Sequence, residues 1–261
     1  MTDTHALRSS FNNVARGYDE IRPGYPEQLF RDIDAVTVSS GRREALEIGC
    51  GTGQATLPVA RLGYDILCLD IGANMIQVAA EKLKAYPNVR FQNLSFEEWP
   101  LVPNSYDLVF SATAFHWVPR EIGFPKAAQA LKPGGALAVF SNAHPQPFNG
   151  FFEEVQPIYS RVVPEWGDPR DQLPTDEKNQ LECKAIEATG LFSSVELKTY
   201  PWSMQYRTAE YLSLLNTYSG HLQLEAQRRQ RLYDEIGALI DSSYGGMIER
   251  PYLTVLYLCR K

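Results

Sequence analysis

Cysteine is scarce in this chain, and the four present, Cys50, Cys68, Cys183 and Cys259, lie far apart with no Cys-x-x-Cys pair. That spacing excludes a zinc ribbon or a disulfide framework, so no metal site is expected, and Cys68 and Cys259 read as core residues in apolar runs. Long apolar segments are missing too. Nothing approaches the ~20 residues of a membrane span, and the opening MTDTHALRSS has no apolar stretch to serve as a secretory signal. The expected location is the cytoplasm. Basic residues are not in excess: Lys+Arg 25 against Asp+Glu 31 leaves a formal charge of -6, which argues against non-specific attraction to nucleic acid or anionic membrane. The tight basic cluster Arg228, Arg229 and Arg231 sits in a stretch of helical period and reads as a solvated helix face.

Internal repeats and low-complexity tracts are also absent. What remains is an ordinary globular composition, 44% hydrophobic and 21% charged over 261 residues, which suits one enlarged α/β domain. Between residues 44 and 140, short apolar runs alternate with segments of helical period, the pattern of βαβ units and a parallel sheet. The runs are Ala45–Ile48, Ile66–Leu69, Val89–Phe91, Tyr106–Phe110 and Ala136–Phe140. Helical spacing appears in Ala55, Leu57, Val59 and Leu62, in Met75, Ile76, Ala79 and Leu83, and in Ala127, Ala128 and Leu131, each followed by a turn signal. Upstream, Phe11, Val14, Ala15 and Tyr18 predict an amphipathic helix capped by Ser9 or Ser10, and a second helix starts at Pro26 with Leu29, Phe30 and Ile33 facing inward. Downstream, residues 141–180 read as an irregular inserted cap in which Pro157 interrupts a helix over 151–163. Thr208 is placed to cap a helix through Leu212 and Leu215, and a longer helix spans about Leu222 to Ile240. Residues 192–204 and Tyr252–Cys259 complete the sheet as a strand pair, with one antiparallel strand.

The first strand ends in Glu47-Ile48-Gly49-Cys50-Gly51-Thr52-Gly53 and runs into a helix, which puts a tight glycine turn at the carboxyl edge of the sheet. Glycine there permits positive φ and close approach of a ligand to the backbone. A dinucleotide fingerprint wants a third glycine where Gln54 stands. Glu47, an acid in a buried strand, would repel a pyrophosphate and suits a ligand with a cationic amine. Asp70 closes the second strand, where a carboxylate can accept hydrogen bonds from both hydroxyls of a ribose.

With these motifs in view, the sequence resembles the class I S-adenosylmethionine-dependent methyltransferases, in particular their small-molecule branch with ubiquinone/menaquinone-type and trans-aconitate-type enzymes. The resemblance is carried by Leu46 to Gly53, by Asp70 with Ile71, Asn74 and Met75, by Ser95-Phe96-Glu97, by Tyr106-Asp107-Leu108-Val109 leading to Ser111-Ala112, by Ala114-Phe115-His116-Trp117 and by Leu131-Lys132-Pro133-Gly134-Gly135. It covers residues 11–140 well and the remainder poorly. It implies a doubly wound, mostly parallel, seven-stranded Rossmann-like sheet with one antiparallel strand. The expected layout is a single domain: an N-terminal helical lid (1–42), a cofactor-binding core (43–140), acceptor-side insertions and helices (141–250) and a final strand (251–261). It also implies S-adenosylmethionine as cofactor. The loop Gly49, Cys50, Gly51 and Gly53, with Glu47 beneath it, would face the methionine part, Asp70 the ribose, and Ile71 and Met75 the adenine. Ser95, Phe96 and Glu97 would meet the adenine edge, while Ser111, Ala112 and Phe115 would line the methionine side. Tyr18 and Arg22 belong to the lid, with Arg22 placed to pair with a carboxylate of cofactor or acceptor.

A sulfonium methyl is already activated, so such an enzyme needs mainly to align a small-molecule acceptor and exclude water. A general base matters only for an acceptor that must lose a proton, such as a hydroxyl or amine, and His116 is the candidate. Phe115, Trp117, Trp166 and Trp202 are candidates for an aromatic acceptor pocket. The place after strand four reads Ser111-Ala112-Thr113-Ala114, without the Asp- or Asn-Pro-Pro-aromatic motif of enzymes acting on adenine or on glutamine amides. RNA or protein as acceptor, a nicotinamide oxidoreductase and a non-catalytic cofactor-binding module are the alternatives. Oligomeric state is left open.

Overall fold

The computed structural model describes Asp19, residues 21–37 and residues 41–261. The expected helix over Phe11–Tyr18, and Tyr18 itself, lie outside the described residues. Among the described residues a seven-stranded sheet runs β3-β2-β1-β4-β5-β7-β6, built from β1 (Glu44–Ile48), β2 (Asp65–Asp70), β3 (Val89–Asn93), β4 (Tyr106–Ala112), β5 (Leu131–Ala143), β6 (Ser194–Arg207) and β7 (Met247–Arg260). The first five strands pair in parallel, and β7 is inserted antiparallel between β5 and β6.

The period of two in the strands sends alternate side chains to opposite faces; both faces are covered at β1, β2 and β4, which are buried almost throughout, while the edge strands β3 and β6 are partly exposed. Ala45, Ile66, Cys68, Leu108 and Phe110 face α1 (Glu27–Val36) and α2 (Thr56–Arg61), where Leu29, Phe30, Ile33 and Val59 meet them. Leu46, Ile48, Leu67, Leu69 and Val109 face the other way. Trp99 and Phe96 lie on that side, together with Phe124 and Ala127 of α4 (Arg120–Ala130), which follows α3 (Ala73–Lys82) in the chain. A third cluster lies outside the sheet. It joins α5 (Phe151–Glu154), α6 (Gln156–Val162), α8 (Thr208–Leu215) and α10 (Ala226–Ser243) to Tyr206, Ile248 and Tyr252 of the β6–β7 ribbon. Between these elements α7 (Thr175–Glu187) packs Ile186 under the sheet, and α9 (Ser219–Leu222) is a single turn. No helix of the described residues is long and apolar enough to cross a membrane.

Several expectations need correction. Residues 141–180 are more helical than their Pro and Asp content suggests. The helix over 151–163 breaks at Val155, and Pro157 sits in the first turn of α6, where a missing N–H leaves no hydrogen bond unmade. Leu131 belongs to β5, not to the preceding helix: Lys132 to Gly135 bulge between the pairs Tyr106↔Leu131 and Leu108↔Ala136. The last strand starts at Met247, before the expected residue 251. Thr208 is the first residue of α8, but its hydroxyl donates to Asp241 instead of capping, while Glu210 accepts the N–H of Arg207. The basic cluster is drawn into local contacts: Arg228 donates to the Val162 carbonyl and Glu165, and Arg231 to Glu235.

One buried carboxylate ties the non-local parts of the sheet together. Asp107 accepts the Glu44 backbone N–H at 2.9 Å and the Lys132 ammonium at 2.7 Å, joining the start of β1 to β4 and to the bulge of β5. Asp107→Ala leaves both donors without this acceptor and is expected to lower stability by about 1–3 kcal/mol, a fall of several degrees in Tm. Thermal melting followed by circular dichroism checks it; an unchanged Tm would show that the tie contributes nothing.

Candidate active site

Strand order reverses at β1, with β2 and β3 to one side and β4, β5, β7 and β6 to the other. The carboxyl ends of β1 and β4 therefore part around a crevice, the usual ligand position in such a sheet. The loop after β1 is held from below, Gly49 and Cys50 both donating to the Leu69 carbonyl at 2.8 and 3.1 Å. Gly49, at φ +72°, passes so close to the segment after β4 that a Cβ would meet Ala114 Cβ at 2.4 Å. Gly51, at φ +54°, has nothing within 4 Å of where its Cβ would project. The first glycine permits the close approach; the second leaves open space beside the backbone.

Asp70 ends β2 with both carboxylate oxygens fixed. One accepts Gly51 N–H at 2.8 Å and the other Gly72 N–H at 2.7 Å. The resulting cleft, about 350 Å³, is lined at this end by Ile71, Met75, Leu94, Ser95 and Phe96, and at the middle by Gly49, Cys50, Gly51, Ala112, Thr113 and His116. Residues 21–25 cross above it, with Asp19 near them. Asp19 pairs with Lys82 at 2.6 Å, the Tyr25 hydroxyl bonds Thr113 Oγ1 at 2.8 Å, Asn142 donates to the Gly24 carbonyl at 3.0 Å, and Arg22 donates to the Thr217 carbonyl at 2.8 Å. Arg22 also lies over the Tyr218 ring, 4.6 Å from its centroid.

Comparison with known proteins bears on what this cleft takes. A family model described as a methyltransferase domain matches residues 45–135. The uncharacterized methyltransferase Mb3374 of Mycobacterium bovis is 28% identical over 251 residues, 94% of this chain and 93% of that protein. The demethylmenaquinone methyltransferase of Tropheryma whipplei is 32% identical over 168 residues, 61% of this chain and 67% of that protein. The chain belongs to the class I S-adenosylmethionine-dependent methyltransferases. Solved structures share the fold. Phosphoethanolamine N-methyltransferase 2 of Haemonchus contortus, in complex with phosphomonomethylethanolamine and S-adenosylhomocysteine, superposes with a TM-score of 0.56 at 18% identity, covering 96% of this chain and 57% of that one. A protein of Anaeromyxobacter dehalogenans assigned as a type II methyltransferase gives 0.61 at 23% identity, covering 92% and 96%.

The residues expected to hold the cofactor of this methyltransferase are not all in one place. Arg22, Gly49, Cys50, Gly51, Asp70, Ile71, Met75, Ser95, Phe96, Ala112 and His116 line the cleft. Gly53 does not; it faces Leu83 and Ala79 of the α3 region. Ser111 is fully buried and donates to the Ile48 carbonyl at 2.7 Å, locking β4 to β1. Phe115 packs edge-on against Phe124 in the core, and the Glu97 carbonyl accepts Lys126 away from the cleft. Of the tryptophans, Trp117 lines the cleft, Trp202 stacks behind Tyr252 at 4.8 Å, and Trp166 packs on His221 at 5.0 Å.

His116 is exposed at the rim, and the surrounding protein, by partial desolvation, still lowers its pKa. Sequence reasoning missed Tyr25, Thr113, Asn142, Tyr218, Arg250 and Tyr252, all of which line the cleft. Two had a signal: Asn142 follows the apolar run of β5 much as Ser111 follows that of β4, and Arg250 precedes the last apolar run. Thr113, a β-branched residue at φ +54°, is visible only in the structure. Strain of that kind clusters at functional sites.

Glu47 is the main departure. It is fully buried and is not among the residues that line the cleft. Its carboxyl accepts the Thr56 hydroxyl at 2.6 Å, and burial pushes its pKa up to about 8, partly offset by that hydrogen bond. The folded pKa thus lies above the unfolded one, so its contribution to stability is complete below pH 4.5 and lost as pH rises through about 8. Glu47→Gln is uncharged at every pH. Relative to the parent, the variant is expected to gain stability between about pH 5 and pH 8, by at most about 1.4 kcal/mol per unit. Parallel Tm-against-pH curves for the two proteins would rule out this protonation.

Proposed function

We propose that this methyltransferase acts on a small molecule, and that its cofactor lies along the β2–β1–β4 end of the cleft. The observation that carries the placement is Asp70, held by two backbone amides at the mouth of the open Gly51 turn. A carboxylate so fixed is suited to a pair of ribose hydroxyls. Ile71, Met75 and Phe96 offer an apolar slot for the adenine, with Ser95 at its edge, and Gly49, Cys50, Gly51 and Ala112 border the methionine. S-adenosylmethionine supplies an activated methyl on a sulfonium with a neutral thioether as leaving group. The chain's own part is alignment and exclusion of water, for which residues 21–25 form the roof.

A small acceptor is supported by the modest size of the cleft, about 350 Å³, and by the net charge of -6. The relatives named for demethylmenaquinone and phosphoethanolamine point the same way. We assign His116, at the cleft rim with its pKa lowered by partial desolvation, as the group that takes a proton from a hydroxyl or amine acceptor.

Calorimetric titration with S-adenosylmethionine, S-adenosylhomocysteine and NADH tests the placement. Binding of the first two but not the third is expected, with Asp70→Ala weakening it at least tenfold; undiminished affinity in the variant would refute the assignment of Asp70. For an acceptor that loses a proton, His116→Gln is expected to reduce kcat by about 100-fold or more. An unaltered kcat and pH profile would leave His116 as a wall residue.

A further inference from the structure

Arg250 stands near the start of β7. Because β7 runs antiparallel, pairing Thr254 with Asn142 and Leu253 with Ala143, its first residues reach the edge at which the parallel strands end. Arg250 lines the same cleft as Asp70 but lies four strand positions away, roughly 19 Å at the usual strand spacing. Its Nε is out of contact with solvent and has no hydrogen-bond partner. The groups that bear on its charge are burial and the phenols of Tyr218, Tyr211, Tyr252 and Tyr206. Its guanidinium lies 4.9 Å from the Tyr252 ring centroid and 5.5 Å from that of Phe152. No ion pair with a carboxylate of the described residues accompanies these contacts.

A guanidinium cannot shed its proton to escape burial. The residue is half-buried overall, and the aromatic faces and the Tyr211 hydroxyl compensate the charge only in part. The other charged groups along the cleft are Arg22, on the same Tyr218, and Asp70, held by backbone amides at the far end. The β7 end therefore has positive charge, aromatic walls and no anion of its own among the described lining residues.

We infer that Arg250 is the anchor for the methyl acceptor, and that the acceptor is an organic acid: its carboxylate pairs with the guanidinium, and its carbon skeleton lies against Tyr218 and Tyr252. The inference rests on the methyltransferase reading above and adds the substrate class. A planar guanidinium matches a carboxylate with two parallel hydrogen bonds.

The test uses the full chain saturated with S-adenosylhomocysteine. It is titrated calorimetrically with phenylacetate, succinate and inorganic phosphate, and with phenylacetamide as the uncharged match of the first. At least one carboxylate is expected to bind, and phenylacetamide at least tenfold more weakly than phenylacetate. Arg250→Met should weaken the carboxylate about ten- to a hundredfold, Arg250→Lys should restore part of the loss, and S-adenosylhomocysteine affinity should stay within twofold in both. The ligand-free Arg250→Met protein should melt at or above the parent temperature, because it no longer buries an unpaired charge. The inference is overturned if no carboxylate binds, if phosphate alone binds, or if Arg250→Met keeps carboxylate affinity while losing several degrees of Tm, which would make the arginine structural. It is also overturned if the variant loses S-adenosylhomocysteine affinity by the same factor, since the carboxylate held would then be the cofactor's own. Failure of the parent protein to bind S-adenosylhomocysteine would instead strike the cofactor placement, and this inference with it.

Discussion

Everything in the cleft depends on how closely the backbone after β1 passes the backbone after β4. The strand order reverses between these neighbours, so their connections leave in opposite directions and the edge between them cannot be filled by either crossover helix. The gap remains narrow because residue 49 has no side chain: a Cβ there would lie 2.4 Å from that of Ala114. That approach sets the loop at a height where Gly51 N–H meets the Asp70 carboxylate of the next strand. Ser111 completes the arrangement from below by bonding β4 to the Ile48 carbonyl. The expected ligand residues that turned out to be buried are thus part of the frame that spaces the ones in the cleft.

Charge is distributed along the cleft in a way that follows from this frame. Glu47 is close enough to Asp70 for a second ionised carboxylate to be unfavourable, and burial already favours its neutral form. Asp70 is left as the negative group at one end, steadied by amide dipoles. The opposite end has Arg22 and Arg250, with His144 beside Arg250 kept neutral by burial and by the guanidinium, its pKa lowered to about 4. An elongated ligand pair with hydroxyls at one end and an anion at the other matches this polarity.

The sheet was legible in the sequence because strands covered on both faces must be apolar throughout, and the runs at Ala45–Ile48, Ile66–Leu69 and Tyr106–Phe110 show that directly. The bulge of β5 was not, since Lys132-Pro133-Gly134-Gly135 has the local chemistry of a turn whether or not the strand resumes pairing at both ends. Glycine and acid spacing pointed to the β1–β2 end of the cleft, whose lining comes from short contiguous motifs. It could not separate Gly51 from Gly53 or Ser111 from Ala112, because which of two adjacent residues faces the cleft depends on neighbouring strands. Arg250 and Tyr218 escaped because they approach the cleft from segments remote in sequence, and an arginine before Pro251 looks like an ordinary solvated strand end.

The two ends of the cleft are built with different rigidity. Arg250 and Tyr252 sit on a ribbon in which β6 and β7 pair continuously from Ser194↔Arg260 to Arg207↔Met247, with the third hydrophobic cluster packed on its far end. Displacing them would break many paired backbone groups and open a core. Among the described residues the roof is held by side-chain hydrogen bonds at Tyr25, Asn142 and Arg22, an ion pair at Asp19 and the packing of Tyr25 on Phe30 and Phe140. Each such hydrogen bond contributes about 1 kcal/mol net, so on the described contacts the roof side of the cleft has less to break than the ribbon side, where a continuous ladder and a core would have to open. The Tyr25–Thr113 bond ties the roof to the one strained non-glycine backbone position on the cleft wall among the described residues.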